Sequence, residues 1–131
     1  MRVSFEYAVI RVVPRVERGE FVNAGVMVFC LSERFLQVKI ALDRARLLAL
    51  WPDADPELIE DHLAAFPRIC RGEEDAGPIA AMTVRERFHW LVAPRSTMIQ
   101  LSPVHSGLCE SPETALADLF RRFVAPTERS D

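Results

Sequence analysis

Between Ser4 and Val13 apolar side chains fill both alternate sets of positions, with Phe5, Tyr7, Val9 and Val13 on one side and Ala8, Ile10 and Val12 on the other. A strand that is apolar on both sides is covered on both sides. Pro14 ends it by removing a ladder donor, and Arg15-Val16-Glu17-Arg18-Gly19 supplies a polar loop whose glycine can take a positive φ. A second β-rich run, Phe21 to Leu31, completes an antiparallel hairpin, and Ser32-Glu33-Arg34 turns into a third strand from Phe35 to Ala41.

Beyond Asp43 the apolar period lengthens from two towards 3.6. Asp43 caps a short helix that runs through Leu50 and stops before Pro52, because the residue preceding a proline is disfavoured in the helical region. Asp55-Pro56 starts a second helix, lined on one side by Leu58, Ile59, His62, Leu63, Phe66, Ile69 and Cys70, which Pro67 is expected to kink or end. Residues 71–78 form a solvated loop. Thr83-Val84-Arg85-Glu86 is a capping box, and Val84, Phe88 and Leu91 form the buried stripe of the helix it opens. Thr97 to Leu101 is short and β-prone, and Ser111-Pro112-Glu113 opens a last helix carrying Leu116, Leu119, Phe120 and Phe123. Strands first and helices after predict an α+β fold: an antiparallel sheet of about four strands, an N-terminal three-stranded meander plus a late strand, with about four helices packed on it. Residues 1–131 read as one domain, with a frayed tail expected after Pro126.

Composition narrows the class without naming a function. Half of the residues are hydrophobic and about a quarter are charged, which is the composition of an ordinary globular domain. Cys30, Cys70 and Cys109 are odd in number and widely spaced, so neither a disulfide framework nor a zinc knuckle is expected, and a reducing, cytoplasmic setting fits. The first residues place Ser4 and Glu6 where a signal peptide needs an apolar run, and no later stretch has the length of a membrane span. The net charge of -3 divides into +1 for residues 1–55 and -4 for residues 56–131, so neither half is a nucleic-acid arm. Lys39 is the only lysine beside fifteen arginines, a skew that reads as codon bias in a GC-rich genome, as the abundant alanine and proline do, rather than as selection for bidentate anion recognition.

If Val13 faces Glu20 across the hairpin, Arg11 faces Val22 and Phe5 faces Val28, and Arg11 and Glu20 become diagonal neighbours. An arginine between Val9 and Val13 then reads first as half of a structural ion pair that pins the register, with anion binding as the alternative. Asn23-Ala24-Gly25 interrupts the second strand and marks a bulge or a close backbone approach. Arg18, with His105 or Arg95 brought in by the late strand, would enlarge this into a polar cluster of Arg11, Arg18, Glu20, Asn23 and His105. Cys30 with His62, His89 or His105 reads better as a buried cysteine than as a nucleophile with its base, and no histidine spacing suits a metal. Trp51 and Trp90 read as core anchors, and neither a phosphate loop nor a dinucleotide turn is present, so no cofactor is expected.

Tyr7-Ala8-Val9-Ile10-Arg11, Val13-Pro14 and above all Arg18-Gly19-Glu20-Phe21-Val22-Asn23-Ala24-Gly25-Val26 resemble the signature of a bacterial family, Domain of Unknown Function 3037. The likeness continues through residues 87–95, the Thr97-Met98-Ile99-Gln100 strand, Pro103-Val104-His105-Ser106-Gly107 and the helix from Leu116 to Val124. The resemblance implies a family without an assigned mechanism, and a protein partner, a HipA-like serine/threonine kinase. Two functions follow as expectations. One is a non-catalytic cytoplasmic interaction module. The other is a small enzyme or ligand-binding protein in which the arginines clamp a phosphate or carboxylate, Asn23 orients it and His105 serves as acid or base.

Overall fold

The computed structural model describes residues 1–93 and 97–125. The expectations for Arg95 and for the tail after Pro126 lie outside the described residues. Three strands, β1 (Val3–Val12), β2 (Val22–Cys30) and β3 (Phe35–Ile40), form the antiparallel meander, and their doubly apolar pattern is met by a layer on each side. Ile10, Val12, Met27, Phe29 and Leu36 pack beneath α1 (Arg44–Leu50), α2 (Pro56–Leu63), α3 (Ala65–Arg71) and α4 (Val84–Val92). Phe5, Val26, Val28, Cys30 and Phe35 face α5 (Pro112–Phe123) on the other side. The fold is α+β, as the element order implies.

The helix starts are those the caps predict. Asp43 accepts from the Arg46 amide at 3.1 Å and Asp55 from the Leu58 amide at 3.2 Å. Thr83 and Glu86 form a reciprocal capping box, and Ser111 caps α5. The helical stretch after Asp55 divides at Ala64, three residues earlier than its proline suggests, which places Pro67 in the first turn of α3. An amide in the first turn has no intrahelical partner, so the missing donor costs nothing there.

The late strand is shorter than expected, β4 (Ile99–Leu101), and a fifth strand, β5 (His105–Cys109), follows it. The sheet order is β3-β2-β1-β4, with β5 also paired to β1. The two late strands share one edge of β1: β4 takes Ile10 to Val12 and β5 takes Val3 to Tyr7. Ser102, only 4% exposed, bridges the break between them. Its amide donates to the Val9 carbonyl and its Oγ accepts from the Val9 amide, both at 2.8 Å. Pro103 has no amide to continue the ladder, so the edge is broken there.

The hairpin register differs from the expected one. Tyr7 pairs with Val28 and Ile10 with Gly25, then the register shifts and Arg11 pairs with Asn23 and Val12 with Val22. Arg11 therefore does not face Val22, and Phe5 does not face Val28. The hairpin connection is one residue longer than the count from Val13 and Glu20 assumed, because a short 3-10 turn at Val16–Arg18, closed by Gly19 at φ 72°, lies between the strands. Ala24 is the extra residue that adds the second step, a bulge where Asn23-Ala24-Gly25 announced one.

Candidate functional site

Arg11 lies on the α5 side of β1, and its cross-strand partner Asn23 presents its side chain on the same side. Direct cross-strand partners hold their Cβ atoms about 5 Å apart, so the two polar groups are neighbours by construction. The guanidinium carbon of Arg11 stands 4.2 Å from the centroid of the Phe21 ring. Asn23 Nδ2 donates to the Phe123 carbonyl at the end of α5, at 3.1 Å. A carbonyl can only accept, which fixes the orientation of the amide and turns Oδ1 away from it.

Two atoms of this pair are buried without a hydrogen-bond partner among the described residues: Arg11 Nε, a donor, and Asn23 Oδ1, an acceptor. Leaving such an atom unpaired costs about 1–3 kcal/mol. The pair sits on the hairpin side of the bulge, so the length of the connection sets Asn23 opposite Arg11 and the extra residue Ala24 follows directly after it. Beside them, Phe21, Val22 and Asn23 form one wall of a groove of about 380 Å³ whose other wall is Arg46, Ala49 and Leu50 of α1.

Glu20 lies outside the paired part of the hairpin and forms its ion pair with Arg18, not with Arg11. The expected Arg11–Glu20 pair is thereby corrected: the longer connection carries Glu20 past the end of the ladder. Both members of the actual pair are exposed, and the hydrogen bond that Arg18 donates to the Glu20 carboxylate raises the already high pKa of Arg18. Arg11 makes no ion pair among the described residues.

His105 pairs with Tyr7, and their rings lie 5.3 Å apart. Tyr7 in turn stacks on Phe123 at 6.2 Å. Tyr7 and Arg11 are four residues apart on β1, about 13 Å at the rise of a strand. Segments 18–25 and 103–107 thus flank β1 on opposite edges, and the five polar residues divide into three groups: Arg11 with Asn23, Arg18 with Glu20, and His105 with Tyr7. Phe123 links the first and the last, through its carbonyl and its ring. Its part, like that of Phe21, had no sequence signal, because a backbone carbonyl at a helix end acquires a role only through what the fold places against it.

Cys30 fits its buried reading, Cys70 is buried as well, and Cys109 is half-buried. Cys30 Sγ lies 3.4 Å from the Ser4 carbonyl, and burial pushes the Cys70 thiol up to about 12, where little thiolate forms near neutrality. Among the described residues no group of three or more His, Cys, Asp or Glu is placed to hold a metal ion, and no helix is long and apolar enough to cross a membrane.

An antiparallel sheet with helices on both sides, carrying beside a bulge an arginine without an ion pair among the described residues and an asparagine, defines an α+β domain. The chain belongs to the family described as protein of unknown function (DUF3037), whose model matches residues 7–124. No curated protein and no solved structure matches it.

Proposed function

We propose that this protein is a non-catalytic binding module and that the Arg11–Asn23 cluster recognises an anionic group, a carboxylate or a phosphate. The observation that carries this reading is the buried pair of unpartnered atoms. Arg11 Nε supplies a charged donor without a counter-ion, and Asn23 Oδ1 beside it takes a hydrogen from the hydroxyl of a phosphate or from an amide next to a carboxylate. The Phe21 ring under the guanidinium holds it in place without neutralising it.

Phosphate and acetate titrations followed by NMR test the reading. The Nε–H signal of Arg11 and the side-chain amide of Asn23 are expected to move saturably with one of them, and Arg11→Met is expected to abolish the movement. Signals that stay fixed with both anions, or movement that persists in Arg11→Met, would refute it. A partner protein that bears the anionic group on a side chain suits the same place, since the adjoining groove is wide enough to receive neighbouring side chains. The HipA-like kinase implied by the family resemblance is the partner to assay first.

A further inference from the structure

The two edges of the sheet are built differently. On the β1 side, the edge is two short strands broken at Ser102-Pro103, and a broken edge is a poor template for another strand. On the other side β3 runs unbroken for six residues without a proline or a bulge. Lysine commonly guards such an edge. The one lysine of β3, Lys39, is withdrawn over the ring of Phe120 at 4.5 Å, on the α5 side.

Alongside this unguarded edge runs a groove of about 630 Å³. One wall is continuous chain, residues 33–38, and the other is Pro67, Cys70 and Arg71 of α3 with Arg87 of α4. An edge strand facing a helix across a groove is the arrangement in which extended peptides add to a sheet. Its charge is predominantly positive, with Arg34, Arg71 and Arg87 against Glu33. Arg34 is exposed, makes no ion pair among the described residues, and sits at φ 50°, in the left-handed region that non-glycine residues seldom occupy. Arg71 is tied to Glu73 at the exposed end of α3, at 2.7 Å. Arg87 donates to the Met82 carbonyl at 2.6 Å and approaches the Cys70 carbonyl at 3.4 Å, while its Nε is buried without a partner.

From the open edge, the groove and its charge we infer that β3 accepts an acidic, extended segment of a partner protein as an additional strand. Main-chain hydrogen bonds to β3 would supply affinity, and acidic side chains set against Arg34, and competing with Glu73 for Arg71, would supply selectivity. This site is separate from the Arg11–Asn23 cluster, which faces α5.

A blocked heptapeptide alternating glutamate and valine, and its lysine-for-glutamate counterpart, serve as probes, with binding followed by amide NMR on the full chain. The acidic peptide is expected to shift the amides of Phe35 to Ile40 and to bind at least tenfold more tightly than the basic one. The double variant Arg34→Glu/Arg71→Glu, whose side chains are exposed and whose folding is checked by its melting temperature, is expected to reverse that preference. Arg11→Met is expected to leave peptide binding unchanged, which separates this site from the proposed anion cluster. Equal affinity for both peptides, no binding of either, or shifts confined to β5 or to Phe21–Asn23 would overturn the inference. So would protection of the β3 amides that tracks self-association in sedimentation, since a second copy would then be the occupant.

Discussion

Two polar residues on β1 and its edge show how differently buried polar groups are satisfied. Ser102 is almost fully buried and completely used: its hydroxyl receives the Val9 amide at 2.8 Å at the break in the edge strand. Ser102→Ala is expected to cost about 1–3 kcal/mol, because it strands a buried donor. Urea denaturation checks this, and a neutral result would mean that Val9 finds another partner. Arg11 is the opposite case, with its Nε buried and unused. Arg11→Met keeps an unbranched chain over Phe21 and removes the unpaired donor, so stability is expected to stay within about 1 kcal/mol of wild type, on the stabilising side, with the cation–π contact partly offsetting the gain. A loss of several kcal/mol on unfolding would show that Arg11 has a structural partner. Glu20 is not expected to respond in either variant, because Arg18 already neutralises it.

Among the elements, β2 is the one whose irregularity has consequences. Its bulge shifts the register between Ile10 and Arg11, directly beside the Arg11–Asn23 pair that the hairpin connection sets. Gly25, next to the bulge, permits the close approach of β3, since a methyl there would come within 2.9 Å of the Lys39 carbonyl and 3.2 Å of Ile10 Cδ1. A backbone oxygen cannot move aside as a flexible side chain does, so Gly25→Ala is expected to cost about 1–3 kcal/mol through overpacking. Thermal unfolding measures the cost, and NMR of the Asn23 side-chain amide tests whether its bond to Phe123 is lost with it. An unchanged melting temperature would mean that β2 and β3 can separate freely at this point.

For the molecule as a whole, charge is organised into local pairs, and acid is the condition that undoes them. The Glu73 carboxyl is held below its ordinary value of 4.5 by hydrogen bonds from Arg71 and Arg68, and that of Asp75 below 3.8 by Arg68. The Thr83 amide lowers Glu86 in the same way. A carboxyl whose pKa is lower folded than unfolded binds fewer protons in the native state. Its contribution is therefore present above the unfolded value and disappears as the pH falls through the folded one. Stability is expected to decline as the pH drops below about 4.5, modestly, because these groups are exposed and screened. Arg68→Met is expected to flatten that decline in a series of melting curves. A pH profile identical to wild type would remove the pairs around α3 from the account.

Local chemistry settled much of this fold in advance. The doubly apolar β1, the caps at Asp43, Asp55 and Ser111 and the box at Thr83 and Glu86 each depend on residues within a turn or a strand of one another, so they were legible along the chain. The bulge was legible as an interruption at Gly25, but not its effect on pairing, because register depends on the length of the hairpin connection as well as on the pattern. β5 was not legible as a strand: His105-Ser106-Gly107-Leu108-Cys109 has little β character, and pairing with β1 is what makes it one. For the candidate site, the sequence determined which residues carry charge and where a strand would be disturbed. Only the tertiary structure decided that Glu20 goes to Arg18, that His105 goes to Tyr7, and that Arg11 and Asn23 meet beneath the end of α5 with one donor and one acceptor unused. Those outcomes depend on contacts between residues up to a hundred positions apart, and a pattern along the chain carries no information about which of several polar groups will be left without a partner.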